Sequence, residues 1–143
     1  MNIKKHILSL EGPIVVFGAS GFIGANLFKR LLAVRDDVYA VCRKEKGWRL
    51  DDVDDKKIIF TDINDKASIN HFITVISPKV IFDLIAYGAY SFEDRSDILY
   101  QTNFLSLTNI ISSLKDKNIS AFIHAGSSSE YGSNSKSQMK MQD

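Results

Sequence analysis

A single cysteine, Cys42, stands in the 143 residues, so no internal disulfide can form and a reducing compartment is the natural setting. Its place at the end of an apolar run reads as a small buried hydrophobe rather than a nucleophile. Charge of one sign is also lacking. The net charge is +1, which leaves nothing to attract nucleic-acid phosphates or an anionic membrane surface. No run approaches the roughly 20 apolar residues that a membrane helix needs. Residues 1–12 hold two lysines and an isolated Ile7-Leu8 pair, without the apolar stretch and cleavage site of a secretory leader. His6, His71 and His124 are far apart and have no metal-ligand spacing, so no metal is expected. These absences exclude a disulfide scaffold and predict a cytoplasmic protein with no nucleic-acid or membrane partner.

What is present is an alternation. Hydrophobic residues make up 45% of the chain, enough for one domain with a real core. Pro13–Phe17 is a short continuous apolar run, as suits a strand buried on both faces. Leu27, Phe28, Leu31 and Leu32 then mark one face of a helix over residues 22–33. Val38–Cys42 predicts a second strand, and residues 43–55 a loop or short helix anchored by Trp48. Lys57–Thr61 is a third strand. Ile69, Phe72, Ile73 and Ile76 recur at helical spacing until Pro78 stops the ladder. Val80–Ile85 is a fourth strand, residues 93–115 a longer helix, and Ala121–His124 a fifth strand. Five β/α alternations without a repeat or linker predict an α/β fold: a doubly wound parallel sheet in three αβα layers, of order 3-2-1-4-5, with a crevice at the carboxyl ends of strands one and four.

Between the first strand and helix lies Gly18-Ala19-Ser20-Gly21-Phe22-Ile23-Gly24. Gly18 permits the tight turn, Gly21 lets the backbone approach a ligand, and Gly24 lets the helix pack close to the sheet. A pyrophosphate then sits on the helix N-terminus, where free N–H groups and the positive dipole end face it. The backbone of Gly18, Ser20, Gly21, Phe22, Ile23 and Gly24 is therefore the expected cradle of NAD or NADP. Where NAD-preferring enzymes carry an acidic residue, the end of the second strand has Cys42, followed by Arg43 and Lys44. Arginine can pair bidentately with a 2′-phosphate, which favours NADP over NAD.

Gly-x-x-Gly-x-x-Gly, with Ser20 at the usual second glycine, resembles the short-chain dehydrogenase/reductase superfamily. The similarity is to its extended branch of nucleotide-sugar epimerases and dehydratases, and it runs from about Pro13 to Gly132. It implies a Rossmann-type domain over residues 1–132, followed by a polar tail over 133–143. It also implies that Asp62, followed by Ile63, bonds the adenine amino group, unless Asp62 is a cap or turn residue. Leu84 and Ala86 would lie over the nicotinamide ribose, although Asp83 and Ile85 replace the histidine and alanine of many relatives. Asn103 falls on a helix asparagine that supports the active site. In His124-Ala125-Gly126-Ser127-Ser128-Ser129-Glu130-Tyr131-Gly132, counting back from Tyr-Gly puts the catalytic hydroxyl at Ser127, with Ser128 next.

The family's Tyr-x-x-x-Lys acid/base element is absent. Four residues beyond Tyr39, Tyr87, Tyr90, Tyr100 and Tyr131 stand Arg43, Ser91, Asp94, Phe104 and Ser135. The expectation is an inactive part of a longer, homodimeric enzyme whose substrate is a nucleotide-activated sugar and which moves hydride at the sugar C4. An NADP(H)-binding redox sensor and an interaction scaffold remain the alternatives.

Overall fold

The computed structural model describes residues 2–88 and 92–127. The five strands are β1 (Ile14–Phe17), β2 (Val38–Cys42), β3 (Ile58–Phe60), β4 (Val80–Asp83) and β5 (Ala121–His124). They form one parallel sheet of order β3-β2-β1-β4-β5. Every residue of β1 is buried, as a central strand covered on both faces requires. Ile14 lies opposite Val38 on one side and Val80 on the other.

Alternate strand residues feed two cores. On one face Ile14, Val16 and Val38 pack with Phe28 and Leu31 of α2 (Phe22–Leu32) and with Ile7 of α1 (Ile3–Ser9). On the other, Val15, Phe17 and Ile81 pack with Ile69, Phe72 and Ile73 of α3 (Lys66–Ile76). Ile110 of α5 (Ser106–Ser113) completes that second layer. The Asp65 side chain caps α3 by accepting from Ala67 N at 3.0 Å, and left-handed Ser77 ends the helix before Pro78.

The three-layer parallel architecture and strand order agree with the expectation from sequence, but several local details differ. Trp48 anchors nothing: it is 74% exposed in a 3-10 turn, and Leu50, fully buried, is the residue that plugs the core there. Two apolar side chains in one turn cannot both point inward, and sequence ranks the larger one first. The third and fourth strands are shorter than read, because Lys57 belongs to a 3-10 turn and the chain leaves the sheet at Asp83. The helix expected over 93–115 is α4 (Ser96–Tyr100), a π-turn over Gln101–Leu105, and α5. α1 was not anticipated. Its one buried residue, Ile7, leaves no periodic stripe to read; Arg35 holds it instead, by donating to the carbonyls of Ile7 and Leu10. The same guanidinium forks onto Asp37 at 2.7 and 2.6 Å. The Tyr-Gly pair at 131–132, Ser128 and the polar tail over 133–143 lie outside the described residues, so the proposed domain limits do too.

Candidate functional site

The carboxyl ends of the strands open into a cavity of about 460 Å³. Its walls run in sheet order from Thr61, Ile63 and Asn64 beyond β3, through Cys42 and Arg43 at β2 and the Gly18–Gly21 turn at β1, to Leu84–Tyr87 beyond β4. Thr102 and Ile98 close it from the helix above.

The glycine turn is built as its spacing requires. Gly18 sits at φ 69°, and a Cβ there would meet the Leu84 carbonyl oxygen at 2.6 Å. A Cβ on Gly24 would fall 2.1 Å from the Gly18 oxygen, so α2 can approach β1 only with glycine at that place. Gly21 differs. Its φ is −72°, and a Cβ would meet nothing closer than the Gly18 oxygen at 3.2 Å. Here the structure demands glycine far less than a ligand at the cavity wall would. Gly21 is also the N-cap of α2 and offers no side-chain cap. The first-turn N–H groups are therefore left for an anion.

Of the residues expected at a cofactor, Gly18, Ser20, Gly21, Arg43, Ile63, Leu84 and Ala86 line the cavity. Phe22 and Ile23 have side chains 73% and 66% exposed and line no part of it; only their backbone faces the turn. Gly24, Asp62 and Asn103 are likewise not wall residues. Cys42 is, and burial pushes its thiol up, which keeps it protonated and inert as expected of a small hydrophobe.

A model of the NAD dependent epimerase/dehydratase family matches residues 14–143. The chain belongs to this family. It is 27% identical to Protein CapI of Staphylococcus aureus over 143 residues, covering 91% of this chain and 42% of that protein. Among solved structures it resembles the epimerase Mth375 of Methanothermobacter thermautotrophicus, with a TM-score of 0.80 and 20% identity over 96% of this chain and 42% of that one. It also resembles the UDP-glucuronic acid 4-epimerase of Bacillus cereus, solved in complex with NAD. There the TM-score is 0.67 and the identity 22%, over 85% of this chain and 42% of that one. The chain thus spans less than half the length of these relatives.

Set against the family pattern, three positions stand out. Asp62 is exposed, and its Oδ1 accepts from Asn64 N at 3.0 Å, closing an Asx turn. Asn103 is a clamp: its Oδ1 accepts from Tyr87 N at 2.8 Å while its Nδ2 donates to Tyr87 O at 2.7 Å. The loop after β4 is thereby pinned to the π-turn. Ser127 is exposed, three residues past β5, and is not a wall residue of the cavity.

The pair that sequence reasoning missed is Asp83 and His124. They face each other across the β4–β5 register, with Nδ1 and Oδ2 2.9 Å apart and Asp83 only 2% exposed. Asp83 Oδ1 also accepts from Ile85 N at 3.3 Å, and its carbonyl from Ala125 N at 3.0 Å. The signal lay in the sequence as a carboxylate, Asp83, where the resemblance implies histidine, and a histidine one strand away. Only the register joins them.

Proposed function

We propose that this chain is the cofactor-holding part of an NAD(P)-dependent enzyme acting on a nucleotide-activated sugar, with hydride transfer at the sugar C4. The observation that carries the cofactor half is the uncapped start of α2 behind Gly21, at the wall of the cavity. The donor set fits a pyrophosphate: backbone N–H groups with no partner side chain, and a glycine whose missing Cβ leaves room on the ligand side. The sugar half is supported by family membership and by relatives such as the UDP-glucuronic acid 4-epimerase.

In this reading the nicotinamide supplies the hydride acceptor. The Gly18–Gly24 backbone holds the pyrophosphate, and Leu84 and Ala86, steadied through Tyr87 by Asn103, wall the nicotinamide end. Ser127 hydrogen-bonds the sugar oxygen. Arg43 makes no hydrogen bond or ion pair to the described residues and stands at the wall next to Cys42, where no carboxylate competes. We therefore favour NADP over NAD. With no tyrosine followed by lysine four residues on, the chain alone is expected to bind without turnover. A cytoplasmic setting belongs to the same proposal. So does pairing of the whole enzyme through the α4–α5 helix, which exposes Leu99, Phe104 and Ile111.

Isothermal titration calorimetry with NADPH and NADH tests this. Gly21→Val is the informative variant, since a Cβ there meets only the Gly18 oxygen, at 3.2 Å, a far milder contact than at Gly18 or Gly24. It should stay folded, with a melting temperature lowered only by the poorer N-cap, and abolish binding. A tenfold preference for NADPH needs only about 1.4 kcal/mol, within reach of one charge-assisted contact. Binding of neither cofactor by the wild type would overturn the proposal.

A further inference from the structure

Asp83 is a carboxylate in a place where charge is costly. It is 2% exposed at the carboxyl end of β4, and a buried charge is disfavoured unless a partner compensates it. With the proton on Nδ1 of His124, both Asp83 oxygens accept: Oδ2 from the imidazole at 2.9 Å and Oδ1 from Ile85 N at 3.3 Å. Acceptance at both oxygens suits the ionised form. Among the described residues no lysine or arginine forms an ion pair with Asp83, and His124 is its one basic partner. A neutral imidazole orients the carboxylate without cancelling its charge.

The position of that charge says what it would meet. Ile85, which donates to Oδ1, is itself a wall residue of the cavity, between Leu84 and Ala86. The carboxylate therefore stands one hydrogen bond behind the wall assigned above to the nicotinamide. An oxidised nicotinamide ring carries a positive charge, and the reduced ring is neutral. A fixed negative charge in a low-dielectric wall attracts the first and is indifferent to the second. The sequence points the same way. The resemblance implies histidine where Asp83 stands, so this chain carries an anion in place of a neutral or cationic imidazole.

We propose that Asp83, oriented by His124, sets the redox preference of the cofactor site: its charge favours the oxidised dinucleotide over the reduced one. The inference rests on the cofactor reading above. The test is calorimetry at about pH 8.5, above the range in which an ordinary imidazole changes charge. The ligands are NADP+, NADPH and 2′-phospho-ADP-ribose, which lacks the nicotinamide, or their counterparts without the 2′-phosphate if NAD is preferred. Asp83→Asn keeps the shape and an acceptor for the Ile85 N–H but removes the charge. It should bind the oxidised cofactor about tenfold more weakly, the scale of one close charge at a buried site. The other two ligands should bind as they do to the wild type. His124→Arg leaves Asp83 in place and sets a permanent cation beside it; the same selective loss is expected. This second variant decides the matter if circular dichroism shows that Asp83→Asn does not fold.

Equal weakening of all three ligands by Asp83→Asn would make the residue a support for the loop and overturn the inference. So would undiminished binding of the oxidised cofactor by either folded variant. Both results leave the cofactor reading standing. Wild-type protein that binds none of the three ligands would remove the cofactor reading and this inference together.

Discussion

Single residues decide how the loops at the carboxyl edge are held. Gly24→Ala places a methyl where the Gly18 oxygen stands. The overpacked contact should destabilise by about 1–3 kcal/mol in urea unfolding. Leu50→Ala should cost about 2–5 kcal/mol whereas Trp48→Ala, at a residue 74% exposed, should leave the midpoint nearly unmoved. Asp37 has a pH-dependent role. The Arg35 fork holds its carboxyl below the usual range, against a smaller opposing effect of burial. A carboxyl lowered in the folded state stabilises above its unfolded pKa of about 3.9, and that contribution disappears as pH falls through the folded value. Asp37→Asn should therefore melt below the wild type at pH 7, and the gap should close in acid. A gap that widened on acidification would contradict the assignment.

At the scale of elements, the carboxyl end of the β4–β5 ladder and the loops that follow it are tied by the polar groups of Asp83. The faces of β5 are half-buried to exposed along its length. Its register to β4 ends on the Asp83–His124 pair, and the Asp83 carbonyl and carboxylate each take a backbone N–H from a following loop. In Asp83→Ala, Ala125, bonded to the Asp83 backbone carbonyl, should keep its hydrogen bond, whereas the Ile85 N–H should be freed and its amide hydrogen exchange raised. Asn103→Ala should do the same at Tyr87, because both of its hydrogen bonds go there. No described helix is long and apolar enough to cross a membrane. The helices α2, α3 and α5 each bury one stripe against the sheet, and that periodicity is why their places were legible beforehand. α1 was not, since it is held by the carbonyl contacts of Arg35, which leave no pattern along the chain.

For the whole molecule, a ligand that binds only the folded state stabilises by mass action. Cofactor at a hundred times its dissociation constant should add about 2.7 kcal/mol, seen as a rise in melting temperature that Gly21→Val abolishes. The family match spans both the well-buried β1–β4 region and the more open β5 side.

The strand order was expected from the pattern of doubly wound folds. The alternation of apolar runs and helical stripes by itself determined the parallel sheet and the glycine turn at the head of α2. These follow from local period and from chain handedness, which short stretches of sequence carry. Tertiary structure alone decided that Leu50 rather than Trp48 is buried and that Asp83 meets His124. It also decided that Thr61 and Asn64 line the cavity. Each of these depends on which of several neighbouring side chains points inward once strands from distant parts of the chain are in register. No period along the sequence records that choice.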